Sequence, residues 1–91
     1  MAYRLPIFPD NYDAFEQEIN AAQKRLNVKY ADTRIHIFSF VDDDNKMKAG
    51  VNWGAWGTQP PYDARVFGEA LIAAADMCDQ INATYDYLDD I

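Results

Sequence analysis

The hydrophobic period changes twice along this chain, and no other feature constrains its fold as tightly. Tyr12, Phe15, Ile19, Ala22 and Leu26 recur at alternating steps of three and four, the stripe of an amphipathic helix. Residues 47–56 alternate instead. Met47, Ala49, Val51, Trp53 and Ala55 fall on one face, and Lys48, Gly50, Asn52, Gly54 and Trp56 on the other. From Phe67 the helical interval returns through Ala70, Leu71, Ala74, Met77, Cys78, Ile81, Tyr85 and Leu88. Ahead of the alternating segment, "RIHIFSFV" at 34–41 is rich in β-branched and aromatic residues, and "DDDNK" at 42–46 is a polar turn. The expected fold is α+β in the order α-β-β-α, with two helices covering one face of an antiparallel hairpin.

The 91 residues make one domain, 1–91, with no repeat, linker or low-complexity tract. A chain this short buries only about 60–65% of its unfolded surface, and an isolated hairpin is marginal, so the helices must pack on the sheet. The first strand does not say which face they cover. Ile35, Ile37, Ser39 and Val41 lie on one side, and Arg34, His36, Phe38 and Phe40 on the other. The uncovered face exposes Phe38, Phe40 and Trp56, or, in the opposite register, Ile35, Ile37 and Trp53. Residues 1–9, "MAYRLPIFP", read as an extended N-terminal arm. A third edge strand is expected from Ala2–Leu5 or from residues 28–31; failing that, a homodimer could extend the sheet. Trp53 shares the face of Met47 and Val51 and is expected in the core. Trp56 falls on the opposite face and is a candidate apolar anchor for a partner.

Local signals place the helix ends. Asp10 or Asn11 caps the first helix, Asn27 stops it, and Thr58 caps the second with Pro60 and Pro61 in its first turn. Gly54 and Gly57, with Gly50, are expected to serve turn geometry or close backbone approach.

The formal charge of −7 is unevenly placed. Residues 63–91 hold seven acids (Asp63, Glu69, Asp76, Asp79, Asp86, Asp89, Asp90) against one base, Arg65, for a net −6. At the helical interval Glu69, Asp76, Asp79, Asp86 and Asp90 share a sector of about 100° and run about 30 Å along the axis. A solvated helix face usually mixes signs. Asp86, Asp89 and Asp90 also sit where the helix dipole disfavours anions. Such a surface repels nucleic acid and anionic membranes, and it suits a basic protein groove that normally takes a phosphate backbone. The expected partner-binding residues are Asp42, Asp43, Asp44, Trp56, Glu69, Asp76, Asp79, Asp86, Tyr87 and Asp90. Tyr85 and Tyr87 could add aromatic contacts.

Motifs for catalysis and cofactors are weak. One His and one Cys cannot form a metal cluster between them. Asp42-Asp43-Asp44 fails the calcium-loop pattern, because Lys46 takes the third ligand position, Met47 replaces the glycine and no Glu closes the loop. Cys78 lies on the apolar helix face and reads as a structural thiol; His36 reads as a packed or rim residue. No catalytic residue, metal or cofactor is expected. No run approaches a membrane span, no N-terminal stretch resembles a signal peptide, and a lone cysteine fits a reducing, cytoplasmic setting. Asn82-Ala83-Thr84 matches a glycosylation sequon by chance in that setting.

The segment "AGVNWGAWGTQPPYDARVFGEALIAAADMCDQIN", residues 49–82, resembles a strand-turn-helix unit of small proteins from phages and mobile elements. The likeness lies in Val51-Asn52-Trp53, Gly57 at the turn, and the Ala/Leu-rich helix ending at Asn82. With its size and acidity, the chain resembles phage anti-CRISPR and other anti-defence inhibitors, a group defined by role. That resemblance implies a non-enzymatic inhibitor of a nucleic-acid-handling defence protein, acting in the bacterial host cytoplasm, and it carries no site residues. The alternative is a homodimeric assembly protein whose acidic surface serves solubility. A small enzyme would need His36 beside carboxylates in a pocket.

Overall fold

The chain enters its first helix at Asn11, whose side-chain oxygen accepts a hydrogen bond from the Ala14 N–H at 3.2 Å. A computed structural model describes residues 5–31, 33–54 and 57–88. Its elements are α1 (Tyr12–Lys29), β1 (Ile35–Val41), β2 (Met47–Trp53) and α2 (Pro61–Thr84), an α+β arrangement in the order α-β-β-α. The helix α1 passes Asn27, the expected stop. There the Asn27 amide oxygen accepts from Gln23 Nε2 at 3.0 Å, and the Tyr30 N–H caps the Leu26 carbonyl at 2.8 Å. The side chain thus serves inside the helix, and termination falls to Tyr30.

The strands pair antiparallel with Ile35 opposite Trp53, Ile37 opposite Val51, Ser39 opposite Ala49 and Val41 opposite Met47. This face turns to the helices: Ile35, Ile37 and Ala49 are buried with Phe15, Ile19, Ala22 and Leu26 of α1 and Ala70, Ala74, Cys78 and Ile81 of α2. The alternative left open by the sequence is thereby decided. Alanines at the junction let both helices approach the sheet, whereas the Phe38 and Phe40 rings would hold them off. The outer face keeps His36, Phe38 and Phe40 exposed, with His36 stacked on Phe38 at 5.7 Å between ring centres. Phe40 lies over Gly50, and a Cβ there would stand 2.6 Å from Phe40 Cδ1. This is the close approach that requires a glycine. Gly54 and Gly57 have open space and ordinary backbone angles, so no turn depends on them.

The turn uses its residues for geometry. Asp42 Oδ1 accepts from the Asp44 and Lys46 N–H groups, both at 2.9 Å, and Asn45 adopts a left-handed conformation (φ 64°). The arm docks at this end. Ile7 exchanges hydrogen bonds with Asn45 and Met47 at 2.8 and 2.9 Å, and Pro9 bridges to Tyr87. These are isolated bridges outside the ranges expected for a third strand, and Pro6 and Pro9, on either side of Ile7, lack the N–H groups that a continuous ladder needs. Residues 28–31 finish α1 and turn; residues 2–4 of the expected strand lie outside the described residues.

The second helix departs from the expected limits at both ends. Thr58 makes no cap; α2 opens at Pro61, where a missing N–H costs nothing, after Pro60. It stops at Thr84, and Tyr85 turns extended and sets its ring edge-on to Phe15 at 5.8 Å. That contact draws the chain off the helical path, so Leu88 lies exposed rather than on the apolar face.

Two amides pair with part of each sheet edge. Gln23 accepts from the Ile37 N–H at 2.7 Å and donates to the Ile35 carbonyl at 3.1 Å. Asn82 accepts from the Ala49 N–H at 2.8 Å and donates to the Ala49 carbonyl at 3.0 Å. Each side chain acts as one residue of a neighbouring strand. Asn82→Ala leaves both Ala49 groups unpaired beneath α2, and the expected loss is about 1–3 kcal/mol in urea denaturation. Asn82→Asp should also destabilise, since it keeps the acceptor for the Ala49 N–H but sets a carboxylate oxygen against the Ala49 carbonyl.

Candidate functional site

Acids cluster on the solvent side of α2. Glu69, Asp76 and Asp79 are exposed and, among the described residues, enter no ion pair. Their spacing runs about 15 Å along the helix, half the expected length. Asp86 falls beyond the helix, in the segment whose backbone bonds the arm: the Asp10 N–H donates to the Asp86 carbonyl at 2.9 Å. The expected stripe through Asp86 is corrected on this point, because the Tyr85–Phe15 contact ends α2 first. Asp90 and Trp56 lie outside the described residues.

The other expected residues are placed as follows. Asp43 and Asp44 are exposed at the hairpin tip. Asp42 is occupied: besides its turn bonds it pairs with Lys48 at 2.9 Å. Tyr87, expected among the partner-binding residues, is half-buried; its hydroxyl donates to the Met47 carbonyl at 2.9 Å and Lys46 Nζ lies 5.2 Å from its ring centre. It is a strut between the C-terminal segment and β2. Burial raises the Tyr87 phenol above its ordinary value, Asp42 adds to the rise, and Lys48 opposes it.

Trp53 overturns the expectation for the core. It lies on the inner face by register but is 57% exposed, because it ends the strand pair where the small-residue packing of α2 stops filling space. Beside it opens an apolar groove of about 890 Å³, lined by Val51 and Trp53 of β2, Leu71, Ile72 and Ala75 of α2, and Phe38 from the outer face. Ile72 is 66% exposed. At the helical interval it falls between Glu69, Asp76 and Asp79, so apolar and acidic surface interleave. Ile72 was findable from the sequence by placing every residue, not only the acids, on the helical wheel. The exposure of Trp53 had no such signal.

Among the described residues Cys78 and His36 do not converge, while His36 and Glu16 both line a cavity of about 350 Å³. Burial, then the neighbouring Asp79, pushes the Cys78 thiol up to about 11. Cys78 and the exposed His36 occupy different elements, one in the core and one on the outer face. Among the described residues no group of three or more His, Cys, Asp or Glu is placed to hold a metal, and no helix is long and apolar enough to cross a membrane. No protein-family model, curated protein or solved structure matches the chain.

Two outcomes follow from these titrations. A Lys48 hydrogen bond and then the Lys46 N–H hold the Asp42 carboxyl below its usual value. Its stabilising effect is fully present above the ordinary value near ~4 and is lost as pH falls through the lower folded value. Urea midpoints should therefore drop further between about pH 5 and pH 2 for the wild type than for Asp42→Asn. The Cys78 thiol acts in the opposite direction: stability is intact below its ordinary value of 9.0 and declines as pH rises toward about 11. At about pH 8, iodoacetamide should label Cys78 only after the protein is unfolded in urea.

Proposed function

We propose that this protein is a non-enzymatic inhibitor of the phage anti-defence type, which binds a basic, nucleic-acid-handling protein of its bacterial host. One observation carries the reading: Glu69, Asp76 and Asp79 stand exposed around Ile72 and, among the described residues, have no cationic partner. Carboxylates spaced along a helix offer a row of negative charge to a groove lined with Lys and Arg, and an apolar side chain in their midst supplies desolvated contact area. Asp43 and Asp44 at the hairpin tip extend the negative surface. The partner is a protein rather than nucleic acid or membrane, since both of those carry the same sign of charge. No catalytic residue or cofactor enters the mechanism, which is steric and electrostatic occupation in the host cytoplasm.

A second reading has its own supporting observation. Phe38 and Phe40 stand 57% and 49% exposed on the outer sheet face, and such a face suits a homodimer. In that assembly protein the acids would serve solubility. Light scattering separates the readings: a monomer at micromolar concentration supports the inhibitor, and a tight dimer supports the assembly protein.

The direct test expresses the protein in bacteria carrying an active CRISPR system or another nuclease-based defence and measures phage survival. The wild type should restore phage growth. The triple variant Glu69→Lys, Asp76→Lys, Asp79→Lys should fold and fail to do so. Retained protection by that variant sinks the electrostatic mechanism, and no protection by the wild type across such systems sinks the inhibitor reading.

A further inference from the structure

The hairpin leaves part of each edge open, and the opening on β2 adjoins the groove. Along β2 the outward-facing backbone groups belong to alternate residues, 47, 49, 51 and 53, as the Asn82 bonds to Ala49 fix. Met47 is satisfied by the Ile7 carbonyl and the Tyr87 hydroxyl, and Ala49 by Asn82. Among the described residues Val51 and Trp53 have no corresponding partner. On β2 the edge is thus closed at Met47 and Ala49 and stays open where the groove begins. Unpaired edge groups are a template for another strand, which proteins otherwise block.

We propose that the groove is a strand-addition site: an extended, basic segment of the partner pairs with Val51 and Trp53 and sends alternate side chains against Leu71, Ile72 and Ala75. The proposal rests on the inhibitor reading for its biological setting but adds a binding mode and a partner chemistry. Main-chain hydrogen bonds supply the fixed geometry, and the side chains pointing at α2 supply selection. Every second residue of the segment would be apolar, to meet Trp53 and the α2 flank. The charge of the segment follows from the rim. Asp76 adjoins Ala75 in sequence, Asp79 stands one turn beyond it, and Glu69 stands one turn before Ile72; the one base of that sector is Arg65. The same rim argues against a second copy of this chain. Pairing β2 with β2 would bring two α2 helices of like charge toward one another, which costs free energy.

The competing edge is less suited. On β1, Gln23 occupies the position next to Ile35 and Ile37, and the adjacent cavity is smaller, about 350 Å³, with a mixed polar lining. Among the described residues Ser39 and Val41 of β1 also turn unpartnered backbone groups outward, so the choice of β2 rests on its larger apolar groove and on the acids of α2 beside it.

The test uses the full chain, ¹⁵N-labelled, and an equimolar mixture of nine-residue peptides that alternate Lys or Arg with Val, Leu or Phe. Amide exchange and chemical shifts are followed by NMR. Slowed exchange at the Val51 and Trp53 amides, with a shift of the Trp53 indole, supports strand addition. Val51→Pro removes the outward N–H without breaking a bond of the hairpin and should weaken binding roughly tenfold or more; Trp53→Ala should weaken it comparably if the proline variant fails to fold. Shifts confined to Glu69, Asp76 and Asp79, with unchanged exchange at Val51, overturn strand addition while leaving the acidic-surface reading standing. Equal binding of the matched Glu-alternating mixture overturns the basic partner. Absence of any change at Val51 and Trp53, or protection of both amides in a free protein that light scattering finds dimeric, overturns the proposal.

Discussion

A two-stranded sheet has two edges and no interior strand, so everything depends on how its outward backbone groups are satisfied. In this protein the answer is two side-chain amides, Gln23 from α1 and Asn82 from α2, each holding a donor and an acceptor of the hairpin. An amide is the one neutral side chain type that presents both functions in the geometry of a peptide group. The bonds do more than satisfy the sheet. They fix where each helix lies along its strand, so the burial of Phe15, Leu26, Ala70 and Ile81 follows from the same registration that closes the edges. The turn and the arm repeat the device through Asp42, Asn45, Ile7 and Tyr87.

The surface divides along the same lines. Where the β2 edge is closed, near the turn and the C-terminal segment, the cations Lys46 and Lys48 are engaged by Tyr87 and Asp42. Where the sheet outruns its closure, at Val51 and Trp53, the neighbouring helix flank carries acids and an exposed isoleucine. On the proposed reading, negative charge next to the apolar groove would repel another copy of the molecule and select a basic partner where the backbone is open.

Much of this architecture was legible because period and capping are local. The steps from Phe15 to Leu26, the alternation from Met47 to Trp53 and the oxygen of Asn11 fix elements through neighbours within one or two turns. The errors fell where distant residues compete. Tyr85 leaves α2 because Phe15, seventy residues away in the chain, offers its ring an edge-on contact. That contact takes Asp86 off the helix, and with it half of the expected acidic row. Tyr87 looked like a surface anchor beside acids, yet its hydroxyl is spent on Met47. Asn82 looked like a helix terminator and a chance sequon; its partner is a strand thirty-three residues earlier.

The sequence by itself determined the order of elements, the pairing of the strands and the negative charge of the last third, since these depend on side-chain type and spacing alone. Only the tertiary structure decided which sheet face is buried, that Trp53 meets solvent and where the edge stays open. Those outcomes depend on how closely alanine-lined helices approach the sheet and how far their amides reach. Trp53 concentrates the difference: alternation put it on the inner face, and the limited cover of α2 left it at the rim of a groove.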